Sequence, residues 1–77
     1  MGYWVACIGE DIDTPFGHYD TPEAAIARCE ELEIKYKNAA PSIMPSTLPF
    51  SFWAYDPEQQ EILYATEEIV PPSVAGE

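Results

Sequence analysis

Residues 50–55 read Phe-Ser-Phe-Trp-Ala-Tyr, and this short aromatic run is the clearest β-strand pattern in the chain. Successive side chains of a strand point to opposite faces of a sheet, so the two phenylalanines fall on one face and Trp53 and Tyr55 on the other. Residues 3–8, Tyr-Trp-Val-Ala-Cys-Ile, show the same two-sided apolar pattern. A strand with one face in water would instead alternate apolar and polar residues along its sequence. The chain therefore has two apolar sheet faces to cover.

Only one segment has the pattern of an amphipathic helix, and we predict that helix over residues 22–38. Thr21 is a favourable N-cap and Pro22 suits the first helical position, whereas Pro41 prevents the helix from extending much further. Apolar side chains recur at helical spacing and form one stripe: Pro22, Ala25, Ile26, Cys29, Leu32 and Tyr36. A helix with one apolar stripe can cover one sheet face and no more.

The remaining segments complete a β-β-α-β-β order. We predict residues 16–19 as a second strand paired with the first, and residues 61–66 as a fourth strand that follows a proline-containing turn. The fold class is then α+β, with a small antiparallel sheet of three to four strands packed on one helix. We place this single domain at residues 1–68 and a flexible, acidic, proline-containing tail at residues 69–77.

The second apolar sheet face leaves four alternatives open at this stage. The connection of residues 39–49 is long and apolar, with Ile43, Met44 and Leu48, so it could lie on that face. The C-terminal tail, a second copy of the chain or a different protein could also cover it.

Charge is distributed very unevenly along the chain. The formal net charge is −11, from 14 acidic and 3 basic residues, and the bases Arg28, Lys35 and Lys37 all fall in the predicted helix. Their spacing predicts the local ion pairs Arg28–Glu31, Glu31–Lys35 and Glu33–Lys37. Ten carboxylates outside the helix have no local countercharge. We therefore expect any partner to be basic.

The same charge excludes several classes of partner. Nucleic acid and anionic membrane surfaces would repel a chain of this charge. No apolar run reaches the roughly 18–20 residues of a membrane span, and the N-terminus lacks the basic segment of a signal peptide. We expect a soluble, cytoplasmic protein without direct contact to nucleic acid or membrane.

The sequence contains no motif for catalysis or for binding a metal or cofactor. Asp11-x-Asp13 begins like a calcium loop, but prolines stand at two of the later ligand positions. His18 is the only histidine, and we expect it to be an ordinary exposed one. Cys7 and Cys29 lack zinc-ligand spacing and are expected to be buried free thiols. We expect no enzymatic activity and no cofactor.

These observations favour a protein that works by binding. We expect a small acidic inhibitor or adaptor that docks on a basic surface of another protein, including a surface that binds nucleic acid. Carboxylates would stand in for phosphates, and aromatic or methionine side chains would be buried anchors. The alternative is a structural or assembly subunit, homodimeric through an apolar sheet face, whose charge serves only solubility. The candidate partner-binding residues are Glu10, Asp11, Asp13, Met44, Trp53, Tyr55, Asp56, Glu58, Glu61, Glu67 and Glu68.

In its short length, acidity and aromatic content the chain resembles phage-encoded inhibitors of bacterial defence systems, including anti-CRISPR proteins that imitate DNA. The resemblance is one of composition and covers no motif, so it assigns no role to any residue. It implies a DNA-mimic mode of binding in the cytoplasm of the host cell.

Overall fold

The chain folds into a four-stranded antiparallel sheet with one α-helix across one face, in a computed structural model that describes residues 2–71. The sheet order is β2-β1-β3-β4, which confirms the α+β class and the β-β-α-β-β order. The second strand starts at Asp13, three residues earlier than predicted. The elements in chain order are β1 (Tyr3–Gly9), β2 (Asp13–Tyr19), α1 (Pro22–Lys37), a short 3-10 helix (Pro41–Ile43), β3 (Phe50–Asp56) and β4 (Glu61–Ala65).

Both ends of α1 are closed by side chains. The Thr21 hydroxyl accepts a hydrogen bond from the backbone N–H of Ala24 at 3.1 Å, and Pro22 occupies the first turn. At the other end, the Asn38 side chain donates to the carbonyl oxygen of Ile34 at 2.9 Å. These bonds satisfy backbone groups that a helix end otherwise leaves without partners.

The core lies between α1 and the two central strands. The predicted helix stripe is confirmed, since its three central residues are buried and Tyr36 stacks on the ring of Phe52 with centroids 5.6 Å apart. Aromatic pairs of this kind add directional stabilisation to the burial of apolar area. The buried apolar residues are Val5, Cys7, Ala25, Cys29, Leu32, Phe50, Phe52, Ala54 and Ile69.

A β-bulge in β2 decides where Phe16 points. Val5 pairs with Gly17 and Ala6 pairs with Pro15, so Phe16 is the extra residue between them. Strict alternation from His18 would turn Phe16 away from the helix. The bulge instead turns its ring into the core, edge-on to Phe52 at 5.4 Å.

A second bulge in β4 has the same kind of effect. Ala54 pairs with Tyr64 and Tyr55 pairs with Ile62, which leaves Leu63 as the extra residue. Leu63 and Tyr64 both pack against the core. Ile62 is consequently left on the other face of the sheet, opposite Tyr55.

The chain beyond β4 continues along β3 and contributes to the core. The Thr66 N–H donates to the carbonyl of Phe52 at 2.9 Å, and the Thr66 hydroxyl accepts the Phe52 N–H at 3.0 Å. Ile69 then exchanges two backbone hydrogen bonds with Phe50 and is 3% exposed. The folded unit therefore includes Ile69, one residue past the boundary that we placed at residue 68. The predicted tail from residue 72 onward lies outside the described residues.

Replacing Thr66 with Val should cost about 1–3 kcal/mol of unfolding free energy, because the buried N–H of Phe52 loses its acceptor. Urea unfolding followed by circular dichroism measures the loss. Thr66→Ser should retain most of the stability, and Thr14→Val, at an exposed position of β2, is the matched control. Equal stability of the two Val variants would show that the hydroxyl is dispensable.

The two thiols are free and buried in this core. Burial raises the pKa of Cys7 from 9.0 to about 11. Burial, followed by the nearby charge of Glu30, raises the pKa of Cys29 to about 11 as well. Because the folded state holds these protons more tightly than the unfolded chain, their contribution to stability is complete below pH 9 and is lost as the pH rises towards 11.

Unfolding free energy should therefore fall between pH 8 and pH 10, by about 1 kcal/mol for each thiol. Urea titrations at several pH values measure this fall. Cys29→Ala should reduce by about half the part of this fall that comes from the thiols, since Cys7 remains as the one titrating thiol. If wild type and variant lose stability equally over this interval, the thiol does not titrate as its burial requires.

Candidate interaction surface

The sheet face opposite α1 carries two apolar rows that cross all four strands. We name it the open face. Cross-strand pairing places side chains of one row on the same side of the sheet. The first row contains mostly large side chains and the second mostly small ones. In the order β2, β1, β3, β4, the rows are His18, Trp4, Tyr55 and Ile62, and then Pro15, Ala6, Trp53 and Ala65.

Residues of the open face are exposed or half-buried, in contrast to those facing the helix. Along β1 and β3 the burial alternates, with buried residues towards α1 and half-buried or exposed residues on the open face. Trp4 is 41% exposed and Ile62 is 49% exposed. Among residues 2–71, α1 is the helix that contacts the strands, and it lies on the opposite face. Large apolar side chains thus remain in contact with water.

The aromatic side chains of the open face are held by neighbours. The Trp53 indole N–H donates to the Ser51 hydroxyl at 2.9 Å, so its one polar atom is already satisfied. The Trp4 ring meets the His18 ring edge-on with centroids 4.8 Å apart. The Trp53 indole could therefore be buried by a partner that offers no hydrogen-bond acceptor to it.

Carboxylates flank the open face at both ends of the strands. Glu10 and Asp11 lie in the β1–β2 turn at one end, and Asp13 follows as the residue paired with Ile8. At the other end Glu58 lies in the β3–β4 turn and Glu61 opens β4. Asp20, which the sequence-based set omitted, lies beyond β2 at this second end. The two rows are thus bounded by negative charge along the strand direction.

Two of the predicted acidic residues have structural roles. The Asp56 carboxylate accepts the backbone N–H groups of Glu58 and Gln59 at 3.0 and 3.3 Å, which fixes the β3–β4 turn. Glu67 lies 3.6 Å from the Lys37 ammonium and so has a countercharge that the sequence did not indicate. Glu68 is exposed beside it.

All three bases lie on α1, on the far side of the sheet from the open face. Arg28 pairs with Glu31 at 3.1 Å and Lys37 with Glu33 at 3.2 Å, as predicted. The predicted Glu31–Lys35 pair does not form, since Glu31 is turned to Arg28 and Lys35 lies over the Tyr36 ring at 5.3 Å. The hydrogen bond from Lys37 to Glu33 raises the pKa of Lys37. Base is therefore concentrated at the helix, away from the open face.

Near the same helix, burial raises the pKa of Tyr64, and the carboxylates of Glu30 and Glu33 add to this rise. The Tyr64 hydroxyl therefore stays protonated to higher pH than a free phenol. It lies on the helix side and takes no part in the open face.

The sequence identified only part of this surface. Trp53 and Tyr55 are on the open face, as their alternation in β3 indicated. Met44 packs against the core cluster and so does not stand free as an anchor. Several residues of the two rows were not in the predicted set, although the alternation of residues 3–8 already grouped the first two of them on one side: Trp4, Ala6, Pro15, His18, Ile62 and Ala65.

Within residues 2–71, no group of three or more His, Cys, Asp or Glu residues is placed to hold a metal ion. No helix in this part of the chain is both long enough and apolar enough to cross a membrane.

Comparison of the chain with protein-family models, with curated proteins and with solved structures found no significant match.

Proposed function

We propose that this protein acts by binding, as a small acidic inhibitor or adaptor that docks through its open face on a basic surface of another protein. The observation that carries the proposal is the pair of apolar rows bounded by carboxylates at both ends. Neither feature is required by the core, which is complete on the other side of the sheet.

The apolar rows supply the binding energy in this proposal. Contiguous exposed apolar surface on a small protein is typical of an interaction site, whereas single exposed residues are normal. An aromatic side chain whose polar group already has a hydrogen bond, such as that of Trp53, costs little desolvation free energy on burial. Aromatic side chains also dominate the binding energy of many interfaces. Trp4, Trp53 and Tyr55 are the proposed anchors.

The carboxylates select the partner. Charges at the border of an interface steer association and reject partners of like charge, more than they add affinity. Lys and Arg residues on both sides of an apolar patch would complement the ends of the open face. A surface that binds nucleic acid has such residues, so a DNA-mimic mode of inhibition is the narrower form of the proposal, and the net charge of −11 is what favours it.

The homodimeric assembly subunit is the second candidate, and the apolar rows by themselves would favour it equally. Charge separates the two. In a face-to-face pair of identical chains, acidic ends would meet acidic ends in either orientation, because both ends of the open face are negative. We therefore expect a monomer at low ionic strength.

Sedimentation velocity at about 0.02 M and about 0.5 M salt tests this point, since screening acts over about 20 Å in the first condition and about 4 Å in the second. The expected result is a monomer in the first condition at micromolar concentration. A stable dimer at low salt that Ile62→Gln dissociates would instead support the assembly subunit.

Affinity capture from the native host tests docking through the open face, with Ile62→Gln and Ile34→Gln as a matched pair. Both positions are exposed isoleucines, but Ile34 is 65% exposed on α1, outside the open face. A retained partner should be basic, should bind more weakly at about 0.5 M salt than at low salt, and should bind at least about tenfold more weakly to Ile62→Gln and to Trp4→Gln.

Ile34→Gln should retain the partner fully. Circular dichroism melts of the three variants establish that each is folded. If every captured protein binds the open-face variants and the wild type equally, the proposed function is wrong.

A further inference from the structure

We infer that the element seated on the open face is an amphipathic α-helix of the partner, about four turns long, with Lys or Arg near both of its ends. This inference rests on the proposed function and names the kind of partner that its binding surface fits. It follows from the dimensions of the sheet, the heights of the two rows, the position of the carboxylates and the state of the sheet edges.

The opposite face of the same sheet shows what length of helix fits. There α1, with 16 residues, packs on strands of up to seven residues. A helix of that length measures about 24 Å, and a seven-residue strand about 23 Å. A second helix of about four turns would therefore span the open face from one carboxylate end to the other.

The two rows also suit a helix in width and height. Neighbouring strands lie about 4.8 Å apart and a helix is about 10 Å wide, so one helix covers β1 and β3 and touches the edge strands. In the second row the small Ala6 lies beside Trp53, which leaves a depression that a large apolar side chain of the helix would fill. Trp4, Tyr55 and Trp53 lie on β1 and β3 beneath the helix and provide its apolar contact surface.

The carboxylates of this protein predict which charged residues the ends of the seated helix carry. Its first and last turns would lie over the ends of the open face, beside Glu10 and Asp11 at one end and Asp20, Glu58 and Glu61 at the other. Lys or Arg in those turns would be paired, whereas Asp or Glu would be repelled. The middle of the helix would carry apolar residues at spacings of three and four.

The sheet edges disfavour an extended peptide as the occupant. Strand addition needs a regular edge with free backbone groups. Both edge strands are interrupted by a bulge, and β2 also contains Pro15. Bulges and prolines are the features by which natural edges resist pairing. The open face, rather than an edge, is left as the place of contact.

Selection from a displayed library of random peptides tests the inference without knowledge of the natural partner. The peptides have the 16-residue length of α1, and the bait is the full chain at about 0.05 M salt. Counter-selection uses Ile62→Gln and Trp4→Gln, with Ile34→Gln as the matched bait that should behave as wild type. Circular dichroism of the enriched peptides with and without the protein reports their bound conformation.

The expected result is a set of peptides that bind the open-face variants at least about tenfold more weakly than wild type. They should carry apolar residues at i, i+3, i+4 and i+7, with Lys or Arg towards both ends, and should become helical on binding. Face-dependent peptides with alternating, strand-like apolar residues would overturn the inference. So would an absence of any face-dependent peptide.

The two proposals fail separately. If the natural partner needs Trp4 and Ile62 but no helical peptide does, the helix is wrong and docking through the open face stands. If neither the captured proteins nor the peptides distinguish Ile62→Gln from Ile34→Gln, the proposed function itself is wrong.

Discussion

The packing of α1 on β1 and β3 is the contact on which the rest of the molecule depends. The helix has one apolar stripe, and its central residues Ala25, Cys29 and Leu32 are buried against one side of the sheet. In a chain this short, burial of apolar area is barely sufficient for stability, so the core takes the face on which a helix can lie. Because β1 and β3 are apolar on both faces, their second face is then left without cover by α1. The open face is thus left exposed because residues 2–71 contain a single α-helix, which covers the opposite face.

The two bulges adjust this arrangement at the edges of the sheet. Each adds one residue to an edge strand and brings that extra residue to the core side, Phe16 in β2 and Leu63 in β4. The core gains apolar side chains from the edges, and Ile62 joins the open face. The same bulges make both edges irregular, which disfavours strand addition. The irregular edges thus favour the open face as the place of contact in the proposed function.

Electrostatics gives the molecule two different sides. The bases of α1 are paired locally or lie over an aromatic ring, and Lys37 also approaches Glu67 and so ties the segment after β4 to the helix. The open face is bounded by carboxylates, with no base on any strand. Self-association through the open face brings like charges together, whereas a basic partner relieves the repulsion. Apolar area and charge therefore favour the same kind of partner.

Local patterns in the sequence were enough to predict the elements, their order and a second apolar sheet face that one helix cannot cover. Those properties depend on local patterns: the Thr21 cap, the helical stripe, and the alternation in residues 3–8 and 50–55. The sequence could not determine which side chains of β2 and β4 join Trp53 and Tyr55 on the open face. Strand register and bulges arise from pairing between distant segments, and one extra residue reverses the side on which its neighbours lie. Phe16 and Ile62 could be assigned only from the tertiary structure for this reason. Met44 could be assigned only there as well, because the packing of the 39–49 connection on the core is a contact between distant segments. The placement of the acidic residues at two ends of the open face is likewise a property of the sheet. Only strand pairing puts the β1–β2 turn at one end of the sheet and the β3–β4 turn at the other.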